Sequence, residues 1–459
     1  MVDDRLKNLE GDSRRHFLKW AGALGAVLAV DRARVLEVIS DAAGPAMAQE
    51  ASGRVTNPSV HLVAGTGGFA WFQLLWPHVE VARSGNNNFA FHAYDQITEV
   101  EDTDKELVYG PESPWRTFDR GKQISAFMAG QNQTHTDTPQ AAAQIGGNSM
   151  IASVASIQRV TASLLPVIGI GNVAFGQAPG APGISTVPDP DSMVQLFNSA
   201  ASRMILEQPE DAAAFEAYYK AFLGLRAAAD KPTMQRGLRI GKTSANFLGK
   251  NLAAQLTPSQ AELDRYLMGA TQNTLVEIAK TLITSLKAFK LGLTQSVVLR
   301  CFNDDPHGAF GDMDNLGRTV GSLGNMLNEW MVDAATIPDP VSPEKTLADA
   351  VVLTVHGDTP KDPLERNGWP DGTPNNSNWL YVMGNGYTKT GWHGRVRANG
   401  QTDSFDPATG DDVANQQADT QTGAANAAVA FAVARGDMRR VQDFYNGNID
   451  GIVNVNPAQ

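Results

Sequence analysis

Short apolar runs that stop abruptly at glycine or polar residues dominate the hydrophobicity pattern of the chain. Val60–Ala64 leads into Gly65-Thr66-Gly67-Gly68, Leu164–Ile170 into Gly171-Asn172, and Val297–Phe302 into Asn303-Asp304-Asp305. Ala350–Val355 leads into His356-Gly357-Asp358, and Trp379–Met383 into Gly384-Asn385-Gly386. Runs that are apolar at successive positions bury both faces of a strand, as in a parallel sheet covered by helices. Helical periodicity lies between them, at Ser192–Glu207, Pro209–Ala229, Thr271–Phe289, Leu316–Ala334 and Ala424–Tyr445. Thr257-Pro258-Ser259-Gln260 has the form of a capping box with proline at the first helical position, opening a helix to Met268. This alternation predicts an α/β fold: a three-layer sandwich around a mainly parallel central sheet, with a mainly helical insertion at about 190–295. Residues 360–378 and 397–420 read as long polar loops.

The first 48 residues follow a different pattern. Ser13-Arg14-Arg15-His16-Phe17-Leu18-Lys19 matches the twin-arginine signature at every fixed position. The apolar run Ala21–Val30 is ten residues long, too short for a stable membrane span. Ala46-Met47-Ala48 then offers a small-x-small cleavage site before Gln49. The expectation is a signal peptide at 1–48 and a single mature α/β domain at 49–459 that carries no transmembrane span. The twin-arginine translocase is the expected partner during export, and the periplasm the destination. The charged stretch Asp31–Asp41 separates the apolar run from the cleavage site. An uncleaved signal would leave the protein membrane-anchored, and another envelope type would place it outside the cell.

Composition narrows the partners. Net charge is -12, and residues 1–48 hold seven Lys/Arg against seven Asp/Glu, so the whole acidic excess belongs to the mature part. Phosphate backbones need a basic footprint, which argues against nucleic acid. The single cysteine, Cys301, cannot form an internal disulfide. Its neighbours Leu299 and Phe302 mark it as a small buried hydrophobe.

In open parallel sheets, ligands bind beyond the carboxyl ends of the strands. Three segments carry a histidine and an aspartate two residues apart: His135-Thr136-Asp137, Asp305-Pro306-His307 and His356-Gly357-Asp358. His393 adds a fourth imidazole, so four of the eight histidines read as lying in polar, loop-like settings. Mixed His/Asp ligation suits zinc, manganese or iron. The plainer alternatives are a helix-capping Asp305 and a satisfied strand-end His356. His61, His78 and His92 sit among apolar or aromatic residues and read as structural. Gly67 and Gly68 belong to a run whose backbone N–H groups could cradle an anion, without the P-loop lysine that nucleotide binding would call for. The nearby aromatics Phe69, Trp71, Phe72 and Trp76 fit a core.

Together these anchors resemble the domain of unknown function 1501 family, of the alkaline phosphatase/sulfatase-like superfamily. Its twin-arginine leader is similar to Ser13–Lys19, and its Gly-Gly-x-Asp-Gly-Leu-Asn to Gly67–Gln73, with Pro77 following. Its Asn-x-Ser-His segment resembles Asn132-Gln133-Thr134-His135, and its Asp-Thr-His resembles Asp305-Pro306-His307. Its Ser-Glu-Phe-Gly-Arg-Thr resembles Thr354–Thr359, and its Gly-Thr-Asp-His falls near Gly372–Asn376. The metal-site positions depart: Ala70 replaces an Asp, Val355 a Glu and Asp358 an Arg, while Asn375 and Asn376 stand near the Asp-His pair.

Two functions follow from the resemblance. One is a metal-dependent phosphate- or sulfate-ester hydrolase with an altered site. It would use Thr134 as nucleophile, with Asp305, His307, His356, Asp358, His135 and His393 as candidate ligands. The other is a metal-free pseudoenzyme, the same scaffold serving as a binding or assembly protein of the envelope. A third reading, a sugar- or peptidoglycan-binding protein, would use the Trp-rich segment and the polar loops.

Overall fold

A computed structural model describes residues 56–64, 76–84, 97–110, 123–131, 144–161, 163–197, 252–302, 312–339, 342, 344–357, 377–384, 386–415 and 421–455. The strands are β1 (Ser59–Ala64), β2 (Thr98–Glu99), β3 (Val108–Tyr109), β4 (Ile124–Gln131), β5 (Gln144–Ile145), β6 (Asn148–Ser149), β7 (Val167–Ile170) and β8 (Ile184–Val187). They continue with β9 (Ser296–Cys301), β10 (Val352–His356), β11 (Ser377–Met383), β12 (Gly391–His393), β13 (Arg395–Val396), β14 (Thr402–Phe405) and β15 (Asp412–Val413). The helices are α1 (Val79–Arg83), α2 (Met150–Gln158), α3 (Pro190–Gln195), α4 (Leu252–Leu256), α5 (Gln260–Leu267), α6 (Asn273–Lys290), α7 (Met313–Ala335), α8 (Thr422–Val433) and α9 (Met438–Val441).

The chain divides into two compact units. One comprises Met1–Ser52 with Asp191–Thr257; the other comprises Gly53–Pro190 with Pro258–Gln459. In the first, α4 buries Leu252, Ala253 and Leu256 and closes with the Thr257 hydroxyl on the Ala253 carbonyl.

The second unit is built on an eight-stranded sheet in the order β12-β4-β11-β10-β1-β9-β7-β8. Every strand but β11 runs in the same direction, so the sheet is mainly parallel and the fold is α/β. The run Trp379–Met383 is a strand as expected, but it lies antiparallel between β10 and β4. One face of the sheet is covered by α2 and α8. Val63, Phe127, Val167, Val298, Val352, Leu380 and Val382 form one apolar cluster with them. The Ala-rich α8 is buried along its length from Thr422 to Val433, apart from Gly423, so its small side chains let it lie flat in the layer. The other layer contains α6, which packs on β9, and α7, which packs on α6. Leu275, Ile278, Ala279, Leu282, Ile283, Leu286 and Phe289 form the apolar stripe of α6 at three- and four-residue spacing.

Three local expectations are corrected. The residue capping α5 is Ser259, not Thr257: its side chain accepts from the Glu262 N–H while Glu262 reaches back to the Ser259 N–H. Glu262 also pairs with Lys287 at 2.8 Å, tying α5 to α6. Ser259→Ala is expected to cost about 1 kcal/mol, read as a lower urea midpoint, while Thr257→Ala leaves the box intact. The helix expected over Ala424–Tyr445 stops at Val433, because Arg435 and Gly436 take positive φ before α9 begins. Within 397–420, β14 and β15 join β13 in a three-stranded sheet. Buried Asp403 organises it, accepting from the Nε of Arg395 (2.9 Å) and of Arg397 (2.7 Å). Finally, β4, β8 and α2 have no counterpart in the sequence reading.

Candidate functional site

Strand register defines a common rim. Ala64 of β1 pairs with Cys301 of β9, and Val63 pairs with His356 of β10. Three adjacent strands therefore end within one residue of each other at their carboxyl ends. The segments that follow carry Gly67 and Gly68 after β1, Asp305 and His307 after β9, and Asp358 after β10. Thr134 and His135 follow β4, which lies beyond β11 on the same parallel heading. These seven residues lie outside the described residues, as do Arg14, Arg15, Ala48 and His92.

His356 and His393 are described, and neither is in a loop. His356 is the last residue of β10 and 2% exposed; His393 ends β12 and is fully buried. In-register pairs place His356, Leu380, Phe127 and His393 in one row across the sheet. Three strand spacings thus separate the two histidines, about 14 Å between backbones. One metal ion cannot take both as ligands.

His393 lies between aromatic rings. Phe127 stacks on it at 4.8 Å and Phe405 meets it edge-on at 5.9 Å. Its Nε2–H donates to the Lys389 carbonyl at 2.9 Å, and Nδ1 is buried without a partner. Burial pulls its pKa down to about 4, against the pull of that carbonyl.

His356 ends a buried polar chain along the α2/α8 face of the sheet. Its Nε2 lies 2.7 Å from the Thr354 hydroxyl, which lies 2.7 Å from Nδ1 of His61. Nε2 of His61 lies 2.9 Å from the Ser59 hydroxyl. Ser59 meets the hydroxyl of Ser296 at 3.3 Å and the Gln158 amide nitrogen at 3.1 Å. Alternate residues of a strand share a face, so Ser59 and His61 on β1 and Thr354 and His356 on β10 line up. Burial lowers the pKa of both histidines to about 3, with the neighbouring His61 adding to the effect on His356. Both rings are therefore neutral.

His78 stacks on Trp392 at 4.6 Å with both ring nitrogens buried and unpaired, and burial lowers its pKa to about 3. Trp76 packs edge-on against Tyr381 at 5.0 Å, in keeping with its expected place in the core. Cys301 is buried and its thiol pKa is raised by burial, as a small core hydrophobe requires. Among the described residues, no group of three His, Cys, Asp or Glu is placed to hold a metal ion.

The sequence reading missed the polar chain. Its signal was present: polar residues two apart inside otherwise apolar strands, Ser59-x-His61 and Thr354-x-His356. What the sequence could not show was that the two strands are neighbours.

No helix among the described residues is long and apolar enough to cross a membrane. No curated protein and no solved structure matches the chain. A family model does match at residues 13–30, that of the TAT (twin-arginine translocation) pathway signal sequence. The chain therefore carries a twin-arginine export signal, and its destination through the twin-arginine translocase is the periplasm.

Proposed function

We propose that the exported protein is a metal-free binding or assembly protein of the envelope, working through the carboxyl rim of β1, β9 and β10. The observation that supports this most is the placement of His356 and His393. One has a ring nitrogen engaged by Thr354, the other is enclosed by Phe127 and Phe405, and the two are three strands apart. The resemblance to the alkaline phosphatase/sulfatase-like superfamily points the same way. Where that family has a glutamate this chain has Val355, a buried strand residue that cannot ligate.

Metal-independent stability is the expected result. A chelator should leave the thermal midpoint of the purified protein unchanged, because nothing that binds only the native state is being removed. A midpoint that falls on chelation, and is restored by zinc, manganese or iron, would overturn the proposal.

The level ends of β1, β9 and β10 favour a second reading, an ester hydrolase with a reduced site. Asp305, His307 and Asp358 would then hold a divalent metal, which supplies charge stabilisation for a phosphate or sulfate oxygen. Thr134 would be the nucleophile and His135 its neighbour. Turnover of a phosphatase and sulfatase substrate panel that is lost in Asp305→Ala and His307→Ala would establish it.

A further inference from the structure

Four asparagine–glycine pairs occur in the chain: Asn367-Gly368, Asn385-Gly386, Asn399-Gly400 and Asn446-Gly447. Glycine after asparagine leaves the next backbone nitrogen unshielded and the chain free to bend it toward the side-chain carboxamide. Asn367, Gly368 and Asn385 lie outside the described residues. Asn399 and Asn446 are both exposed, in opposite hydrogen-bonding states.

Asn399 belongs to the turn between β13 and β14. The Gly400 N–H donates to the Arg397 carbonyl at 3.0 Å, and the Arg397 N–H donates to the Gln401 carbonyl at 2.8 Å. The side-chain oxygen of Asn399 accepts from the Gln401 N–H at 3.1 Å. The nitrogen that would attack and the carboxamide that would be attacked are therefore both engaged.

Asn446 follows α9, in an irregular stretch between buried Phe444 and buried Ile449. Gly447 is exposed as well. Among the described residues, neither the Asn446 side chain nor the Gly447 N–H has a hydrogen-bond partner. Packing also calls for the glycine, since a Cβ at this position would run into the ring and hydroxyl of Tyr445. The fold thus keeps a glycine behind an asparagine that nothing holds.

We infer that Asn446-Gly447 is a site of spontaneous covalent modification, converting to isoaspartate and aspartate through a cyclic imide. The Gly447 nitrogen gives its proton to hydroxide and bonds to Cγ of Asn446. The bond from Cγ to the side-chain nitrogen breaks, and that nitrogen leaves as ammonia after taking up a proton from water. Water then opens the ring at either carbonyl. Attack at Cγ restores the main chain and leaves aspartate; attack at the main-chain carbonyl leaves isoaspartate, with the backbone rerouted through the side-chain carbon. One water is consumed and one ammonia released. Each event adds a negative charge to a segment that already exposes Asp443 and Asp450.

Incubating the folded, purified protein for days at mildly alkaline pH, followed by peptide mass spectrometry that separates the two isomers, reads both sites in one sample. The Asn446 peptide is expected to convert about tenfold faster than the Asn399 peptide, the factor that one net hydrogen bond corresponds to. In guanidinium chloride the turn that protects Asn399 is lost, and the two rates are expected to converge. Asn446→Gln should abolish the conversion at that position on the same timescale, because the longer side chain forms the ring far more slowly. Equal rates in the folded protein would overturn the inference. So would an Asn446 that stays intact when folded but reacts when unfolded, or a rate gap that survives unfolding.

Discussion

Acidification from pH 7 to pH 5 is expected to cost the folded protein several kcal/mol, a large share of the roughly 5–15 kcal/mol that holds a domain folded. Four histidines, His61, His78, His356 and His393, are buried, and burial lowers their pKa values from 6.5 to about 3 for the first three and about 4 for His393. The sign follows from these shifts. Between the folded and unfolded values the unfolded chain binds more protons, so stability is fully present above pH 6.5 and is lost as pH falls toward the folded values. Each histidine contributes about 2 kcal/mol of loss by pH 5, because the unfolded imidazole is then almost entirely protonated. Carboxylate protonation acts in a lower window. Asp403, whose own burial is outweighed by its bonds to Arg395 and Arg397, has its pKa held below the ordinary 3.8 and titrates after the histidines have acted. Tryptophan fluorescence and circular dichroism across pH 7 to 4 should show a cooperative transition centred above the carboxylate range. His78→Phe is the sharpest control, since both His78 nitrogens are already unpaired and the ring already stacks on Trp392. That variant should lose about 2 kcal/mol less over the same pH interval. Stability that stays flat from pH 7 to pH 5 would contradict the burial of these four rings.

Replacing Arg14 and Arg15 together by lysine is expected to leave the full-length precursor in the cytoplasm. Net charge is unchanged by that substitution, so a purely electrostatic leader would still function. The ten-residue run Ala21–Val30 is too short to commit the chain to a bilayer by hydrophobicity alone. Export therefore depends on the signal being read by its receptor. An arginine offers five donors in a planar fork, and a lysine offers a compact point charge on a flexible stem. Cell fractionation with N-terminal sequencing checks the result. The native protein should be recovered from the periplasm beginning at Gln49, and the double-lysine variant should retain Met1. Periplasmic protein starting at Gln49 from the variant would contradict the assignment of the two arginines.

How much of this was legible in the sequence depended on whether the deciding contacts are local. The runs Val60–Ala64, Val297–Phe302 and Ala350–Val355 are mostly apolar at successive positions and stop at Gly65, Asn303 and His356, so these strands and their carboxyl ends could be read without partners. The stripe on α6 and the long apolar pattern of α7 were equally readable. Strand β4 was not: Ser125 interrupts its apolar run, and that serine is satisfied by Thr388 and the Lys389 carbonyl, more than 260 residues away in sequence. The direction of β11 depends on its neighbours, and no residue within Trp379–Met383 encodes it. Thr402–Phe405 looked like loop because of its polar composition, yet Asp403 is buried by the two arginines that face it. His356 looked like a loop residue because Gly357 and Asp358 follow it. Its burial comes from β1 and β11 on either side and from the helix layer above, all distant in sequence.

Binding at the carboxyl rim of β1, β9 and β10 is proposed to need no metal. Elemental analysis of protein purified from the periplasm after twin-arginine export measures it most directly, since cargo on this pathway would arrive with any ion it had loaded in the cytoplasm. Zinc, manganese and iron are expected far below one ion per chain, with no change in Asp305→Ala or His307→Ala. One ion or more per chain in the native protein, lost in both variants, would contradict it.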